Sequence, residues 1–216
     1  MTFTFRQSAA LARVLLVARP SRRPLVTMEA PPPPAGLPYG ELARTLDAVE
    51  AEPARLDKEA LMASLLERAW GASADDLLGC VALTSQQLTP ATRPLKLGVG
   101  DALVLDALAR VCDGDADALK AELRQLGDLG ALAAARREGA PPPAEPLTLR
   151  EVRAAMLEIP ADSGKGKGAN ERKASLVAAL LGRAPPLEAQ YIVRSIRGKL
   201  RSGLGDRSLR AAHGLV

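Results

Sequence analysis

An all-α protein is predicted for this chain by three observations. Apolar residues recur at helical spacing almost throughout from Leu37 onward. No segment alternates apolar and polar residues as a half-buried strand does. Glycines, aspartates and prolines fall where the apolar runs should start and stop. The expected architecture is an irregular multi-helix domain with two pseudo-symmetric helical lobes, about 37–139 and 147–216. With 216 residues, 47% of them hydrophobic, the chain can bury one sizeable core or two modest ones.

Taken in order, Leu42, Leu46 and Val49 mark a first helix, and Leu61, Leu65 and Leu66 a second that closes at Trp70-Gly71. Asp75-Asp76 supplies the acidic start of a third apolar segment, Leu77 to Leu83, which is broken before Pro90 and Pro94. Beyond Gly98 come helices expected at Leu103 to Val111 and Ala116 to Leu126. Gly127-Asp128-Leu129-Gly130 then starts another, through Arg137. The stretch from Gly139 to Pro146, with Pro141 to Pro143, is the internal linker. Helices are expected again at Thr148 to Leu157, Arg172 to Leu181 and Leu187 to Leu200, with a last one from Asp206. Between them Ala161 to Asn170 reads as a Gly/Lys-rich loop.

Composition removes several function classes. The aromatic residues are Phe3, Phe5, Tyr39, Trp70 and Tyr191, too few to build the stacking platforms that single-stranded nucleic acid requires. Cys80 and Cys112 lie singly in apolar helical patterns and read as buried thiols in a reducing compartment, not as a disulfide or metal framework. His213 alone supplies neither a His-based triad nor a His-rich metal site, so no catalytic or metal residue is assigned. No apolar run has the length of a membrane span, and no membrane partner is expected.

Residues 1–36 read as a transit-peptide-like leader followed by a proline-rich spacer. Residues 1–27 hold Arg6, Arg13, Arg19, Arg22 and Arg23, no acid, and an apolar patch around Leu15 to Val17. The alternative is a start that is disordered or wrongly placed. Met28 offers a second start just before Glu29, and Pro31 to Pro34 would stiffen the spacer.

Charge is concentrated rather than large, since the net charge is only +4. Residues 163–216 carry eleven Lys or Arg against Glu171, Glu188 and Asp206, whereas residues 28–162 carry 13 basic and 22 acidic residues. A concentrated basic surface points to a polyanionic partner. On an ideal helix Arg194, Arg197 and Arg201 fall within about 60° of one another, apart from the apolar arc of Ile192, Val193, Ile196 and Leu200. That helix runs into Leu200-Arg201-Ser202-Gly203-Leu204-Gly205-Asp206, which matches Leu95-Lys96-Leu97-Gly98-Val99-Gly100-Asp101 at leucine, basic residue, both glycines and aspartate. Glycines allow a tight turn and close main-chain approach, and the N–H groups of a following helix start favour an anion. Ordinary helix-to-helix turns would use the same residues without any ligand.

The segments PYGELARTLDAVEAEPARLDK, LKLGVGDALVLDALA, GDLGALA and YIVRSIRGKLRSGLGDRSLRAA resemble successive blocks of the N-terminal DNA-binding domain of eukaryotic-type ATP-dependent DNA ligases of the DNA ligase I type. The resemblance covers Leu37 to the end. It implies an all-helical domain that grips duplex or nicked DNA through the minor groove and helps the enzyme encircle a nick in replication, repair and recombination. It further implies that Gly198, Lys199, Leu200, Arg201, Ser202 and Gly203 form the main DNA-contacting segment, to which the helix face and the glycine turn read above add Arg194, Arg197 and Gly205. Lys96, Gly98 and Gly100 would be its pseudo-symmetric counterpart. Lys165, Lys167, Arg172 and Lys173 would belong to a phosphate-contacting loop. That loop departs from the family pattern, with Gly-Lys-Gly-Lys-Gly and Asn170-Glu171 in place of small hydroxyl residues.

Ligases of this family attach adenylate to the Lys of a Lys-x-Asp-Gly motif, and no Lys in this chain begins one. Gly166-Lys167 is followed by Gly168, so there is no Walker A pattern either. The chain is therefore expected to act as a monomeric DNA-binding portion, inactive alone and without a cofactor of its own. ATP and Mg2+ would serve a catalytic core present in cis in a longer protein. The alternative is a stand-alone, non-catalytic helical interaction protein derived from a ligase domain. The nucleus is the expected location, with a mitochondrial or plastid form through residues 1–27.

Overall fold

The computed structural model describes residues 36–89, 92, 95, 97–161, 167–204, 208, 212 and 214, the side chains at 160, 161 and 167 excepted. Outside the described residues lie the leader at 1–27, the spacer Pro31 to Pro34, Lys96, Lys165, Gly205 and most of the helix expected from Asp206. The Lys167 side chain lies outside them too.

Nine helices and no strand occur among the described residues, which gives the expected all-α class. They are α1 (Tyr39–Ala51), α2 (Arg55–Ala72), α3 (Ala74–Ser85), α4 (Asp101–Val111), α5 (Ala116–Leu126), α6 (Leu129–Arg137), α7 (Leu149–Ala161), α8 (Lys167–Arg183) and α9 (Pro186–Ile196). No described helix is long and apolar enough to cross a membrane.

Short polar residues start these helices by satisfying N–H groups that the helix itself leaves open. Ser73 Oγ accepts from Asp76 N at 3.0 Å, Asp115 from Ala118 N at 3.0 Å, and Asp128 from Gly130 N at 2.9 Å. α7 opens on a reciprocal capping box: Thr148 Oγ1 accepts from Glu151 N, and Glu151 Oε2 accepts from Thr148 N at 2.8 Å. Burial alone would raise the Glu151 carboxyl, but these bonds and Arg183 outweigh it and hold the group below the usual carboxylate range. α9 starts with Pro186 in its first turn, where a missing N–H costs nothing.

The described residues from Gly36 on form one compact unit. Leu46, Leu108, Leu132, Leu149, Val177 and Ile192 are fully buried and belong to one continuous core. The Gly139 to Pro146 tract divides the chain in sequence, yet helices before it pack on helices after it: α6 on α9, α4 on α8, and α3 and α1 on α7. The starts of α1 and α7 are tied by an antiparallel bridge at Pro38 and Thr148, in which Tyr39 N donates to Leu147 O and Leu149 N to Leu37 O. The α6–α9 contact is close because residue 130 is glycine. A β-carbon there would lie 2.8 Å from both Arg194 Cγ and the Gln190 carbonyl oxygen.

Three expected boundaries differ by four or more residues. α7 continues beyond Leu157 to Ala161, with Pro160, which cannot donate to the helical ladder, only one residue from its end. α8 begins at Lys167, so Lys167 to Asn170 are helical rather than part of a loop. α9 stops at Ile196, short of Leu200. Both cysteines are free; Cys80 is buried as expected, and burial raises its thiol pKa to about 12, whereas Cys112 is only half-buried.

Candidate nucleic-acid interface

The end of α9 decides the geometry of the basic segment. Gly198 takes φ +67°, its N–H donates to Ser195 O, and Lys199 N donates to Arg194 O at 2.8 Å. This pair of bonds closes the helix as a Schellman motif, whose left-handed position glycine fills without strain. The chain then leaves the helix axis. Leu200 turns into the core, Arg201 adopts φ +59° with its side chain exposed, and buried Ser202 accepts from Leu204 N through Oγ. Gly203 follows at φ +66°. Arg201 therefore does not share a helix face with Arg194 and Arg197, as the helical wheel had it.

The Gly98 turn lies beside this one. Gly98 has φ +62°, Val99 is buried, and Gly100 precedes the first residue of α4. Arg197 joins the two turns: Nη1 donates to Val99 O at 2.6 Å, and Nε lies 2.7 Å from Asp101 Oδ1. Lys173, on α8, brings its ammonium within 3.4 Å of where a Gly98 β-carbon would stand. Gly100 differs from Gly98, since its φ is −85° and a β-carbon there would touch nothing.

A third glycine turn, Gly127 to Gly130, completes the arrangement. Asp128 Oδ2 accepts from Arg194 Nε at 3.1 Å and Nη2 at 2.6 Å, and lies 3.6 Å from Arg201 Nη1. Arg194 Nη1 donates to Glu50 Oε2, the oxygen that also accepts from Tyr191 OH, and its guanidinium lies over the Tyr191 ring at 5.2 Å. Burial opposes the charge on both Arg194 and Asp128. Their mutual bonds prevail, so the Asp128 carboxyl is held below its usual range and the Arg194 guanidinium above it. Asp101, Asp128, Arg197, Lys199 and Arg201 line one concave surface between these turns. Lys199 and Arg201 are its exposed cations.

Residues 38–214 match the family model described as DNA ligase N terminus. The chain belongs to that family. It is 36% identical to a DNA ligase of Pyrobaculum neutrophilum over 79% of this chain and 30% of that protein. It is 33% identical to DNA ligase 1 of Dictyostelium discoideum over 80% of this chain and 14% of that protein, and 28% identical to DNA ligase 1 of Arabidopsis thaliana over 82% and 22%. The chain thus spans less than a third of the length of these relatives.

In this ligase N-terminal domain the expected contact residues separate into groups. Gly198, Lys199, Arg201, Ser202 and Gly203 come together in one turn, with Gly98 beside it through Arg197. Arg194 stands apart: it is 6% exposed, and a buried guanidinium needs the carboxylates that surround it, so it braces α9 against α6 and α1. Leu200 presents only its main chain, its side chain being buried. Arg172 is exposed on α8, one turn beyond Gly168. Glu171, next to it, accepts two bonds from Arg110 Nη1 and Nη2 at 2.7 and 2.9 Å and so pins α8 to α4. Two participants were not singled out from the sequence: Asp128, read only as part of a helix start, and Lys58 of α2, whose Nζ lies 3.2 Å from Ser202 O.

Proposed function

We propose that residues 37–216 bind duplex DNA without sequence preference, as the N-terminal portion of an ATP-dependent DNA ligase that seals nicks in replication, repair and recombination. The observation that carries this reading is the meeting of the Gly98 and Gly203 turns with exposed Lys199 and Arg201 beside the end of α9. Positive-φ glycines let the main chain approach a phosphate backbone, and the cations neutralise it. Contacts of this kind position a protein on DNA and read no bases. The family match and the ligase relatives support DNA as the partner.

The 216 residues hold no Lys-x-Asp-Gly, so no adenylation step is assigned to them. That chemistry, with ATP and Mg2+, belongs in this reading to a catalytic core joined in cis. The domain's own contribution is to hold the duplex while the core acts. Titration of labelled duplexes of unrelated sequence across a salt series tests the reading. With about five phosphates contacted, the log–log slope should be near −4 to −5. A flat response, or strong discrimination among sequences, would overturn it.

A further inference from the structure

We propose that Lys58 of α2 is the cation of the Gly203 turn and contacts a DNA phosphate there, as the counterpart of Lys173 at the Gly98 turn. The inference rests on the duplex-binding reading above. The two turns share Leu-basic-x-Gly-x-Gly-Asp in sequence and nearly the same glycine conformation, φ +62° at Gly98 and +66° at Gly203. Each also has a lysine ammonium over the face where its glycine lacks a side chain. Lys173 Nζ stands 3.4 Å from the β-carbon position of Gly98, and Lys58 Nζ 3.1 Å from that of Gly203. These lysines come from α8 and α2, and each opens the same run: Lys58, Leu61, Ala63, Leu65, Leu66, Arg68 and Ala69 recur at identical spacing as Lys173, Leu176, Ala178, Leu180, Leu181, Arg183 and Ala184. The fold delivers both lysines to the same place on matched turns.

Lys58 is suited to the role by what its ammonium has left to give. Among the described residues its hydrogen-bond partner is the Ser202 carbonyl at 3.2 Å, which takes one of three donors. The bond fixes the ammonium on the turn, and the remaining donors can serve an anion that approaches the main chain at Gly203. A compact charge on a flexible stem is a common phosphate ligand. A β-carbon at residue 203 would stand 3.1 Å from the ammonium, so a side chain there would displace the lysine from its place on the turn.

The test compares the full 216-residue chain with Lys58→Gln, Lys173→Gln, Lys58→Arg and the double Gln variant, using a labelled nicked duplex across a salt series, after thermal melts establish that each is folded. Each single Gln change should weaken binding several-fold at about 0.1 M salt and flatten the log–log slope by about 0.9, and the double change by about twice that. Lys58→Arg, which keeps the charge, should keep the slope. If Lys58→Gln leaves the slope at the wild-type value, whether or not affinity falls, Lys58 only braces the Ser202 carbonyl and the proposal is overturned. If the wild-type chain itself shows no salt-dependent binding, the duplex-binding reading fails first and takes this proposal with it.

Discussion

Arg197 Nη1 donates to the Val99 main-chain oxygen at 2.6 Å, and this bond, between residues 98 apart in the chain, makes one unit of two turns. Its Nε reaches Asp101 at the start of α4 from the same guanidinium. A single planar group thereby fixes both the distance between the turns and the direction of the α4 N-terminus. Lysine cannot do this, because it offers a point charge and not a fork.

Arg197→Ala should therefore cost about 1–2 kcal/mol, less than a buried charge pair because Asp101 is half exposed. In a protein of this size that is a fall in melting temperature of about 2–8 °C. Arg197→Lys should recover little of it. DNA affinity should drop in both variants, since the turns lose their common brace. Thermal melts and duplex titration read the two effects. Full rescue by lysine would show that only charge matters at this position.

Asp128 tests whether Arg194 is an anchor. Asp128→Ala leaves a guanidinium 6% exposed with Glu50 as its remaining carboxylate, and the loss should be about 3 kcal/mol. Glu122→Ala, which breaks the exposed pair with Arg136, should stay within about 1 kcal/mol. The Asp128 carboxyl is depressed, so its contribution is complete above the ordinary carboxylate range and is lost as pH falls through the folded-state value. Denaturant unfolding of the two variants at neutral pH, and of the wild type toward acid, measures both points.

Much of this was legible in the sequence, for local reasons. Asp115 before Ala116 and Gly127 after Leu126 are start and stop signals within the element itself, and α5 has the bounds they announce. The end of α9 misled because Ile192, Val193, Ile196 and Leu200 keep helical apolar spacing past the point where Gly198 terminates the helix. Leu200 is buried from a turn, not from a helix face. Arg194 could not be told from Arg201 by pattern alone, since its acceptors Asp128 and Glu50 are 66 and 144 residues away. Lys58 is likewise 144 residues from Ser202, and the signal that could have found it is the match of its run to Arg68 with the run from Lys173 to Arg183.

Glu188 should make stability fall as the solution is made less acidic. It is 8% exposed between α9 and α1, one carboxylate oxygen has no partner among the described residues, and burial raises its pKa to about 7 against the opposing charge of Arg44. A carboxyl raised in the folded state binds its proton more tightly than in the unfolded chain. Stability is then greatest below the unfolded value of 4.5 and declines as pH rises to about 7. Glu188→Gln removes this slope, so its melting temperature relative to wild type should rise between pH 5 and 8, by about 2–4 °C for each kcal/mol relieved. Parallel melting curves for the two proteins would mean that the carboxylate ionises without penalty.

The backbone half of the clamp is tested at Gly203. Valine there meets both the φ of +66° and the Lys58 ammonium 3.1 Å from the new β-carbon. Gly203→Val should weaken DNA binding about tenfold or more while every charge remains, and the salt slope should change less than affinity does. Gly71→Ala is the control, because that glycine lies within α2, outside the turns, and a β-carbon there touches nothing. Equal binding by Gly203→Val and wild type would remove main-chain approach from the account.

The most direct measurement is the salt dependence of duplex binding by the Lys199→Ala, Arg201→Ala double variant beside the wild-type chain. Both side chains are exposed, so the melting temperature should move little. Affinity should fall alike on unrelated sequences, and the log–log slope should flatten by up to about two units, one for each phosphate no longer neutralised. A folded double variant that binds with wild-type affinity and wild-type slope would show that this turn is a structural connection and that DNA, if bound, lies on another surface.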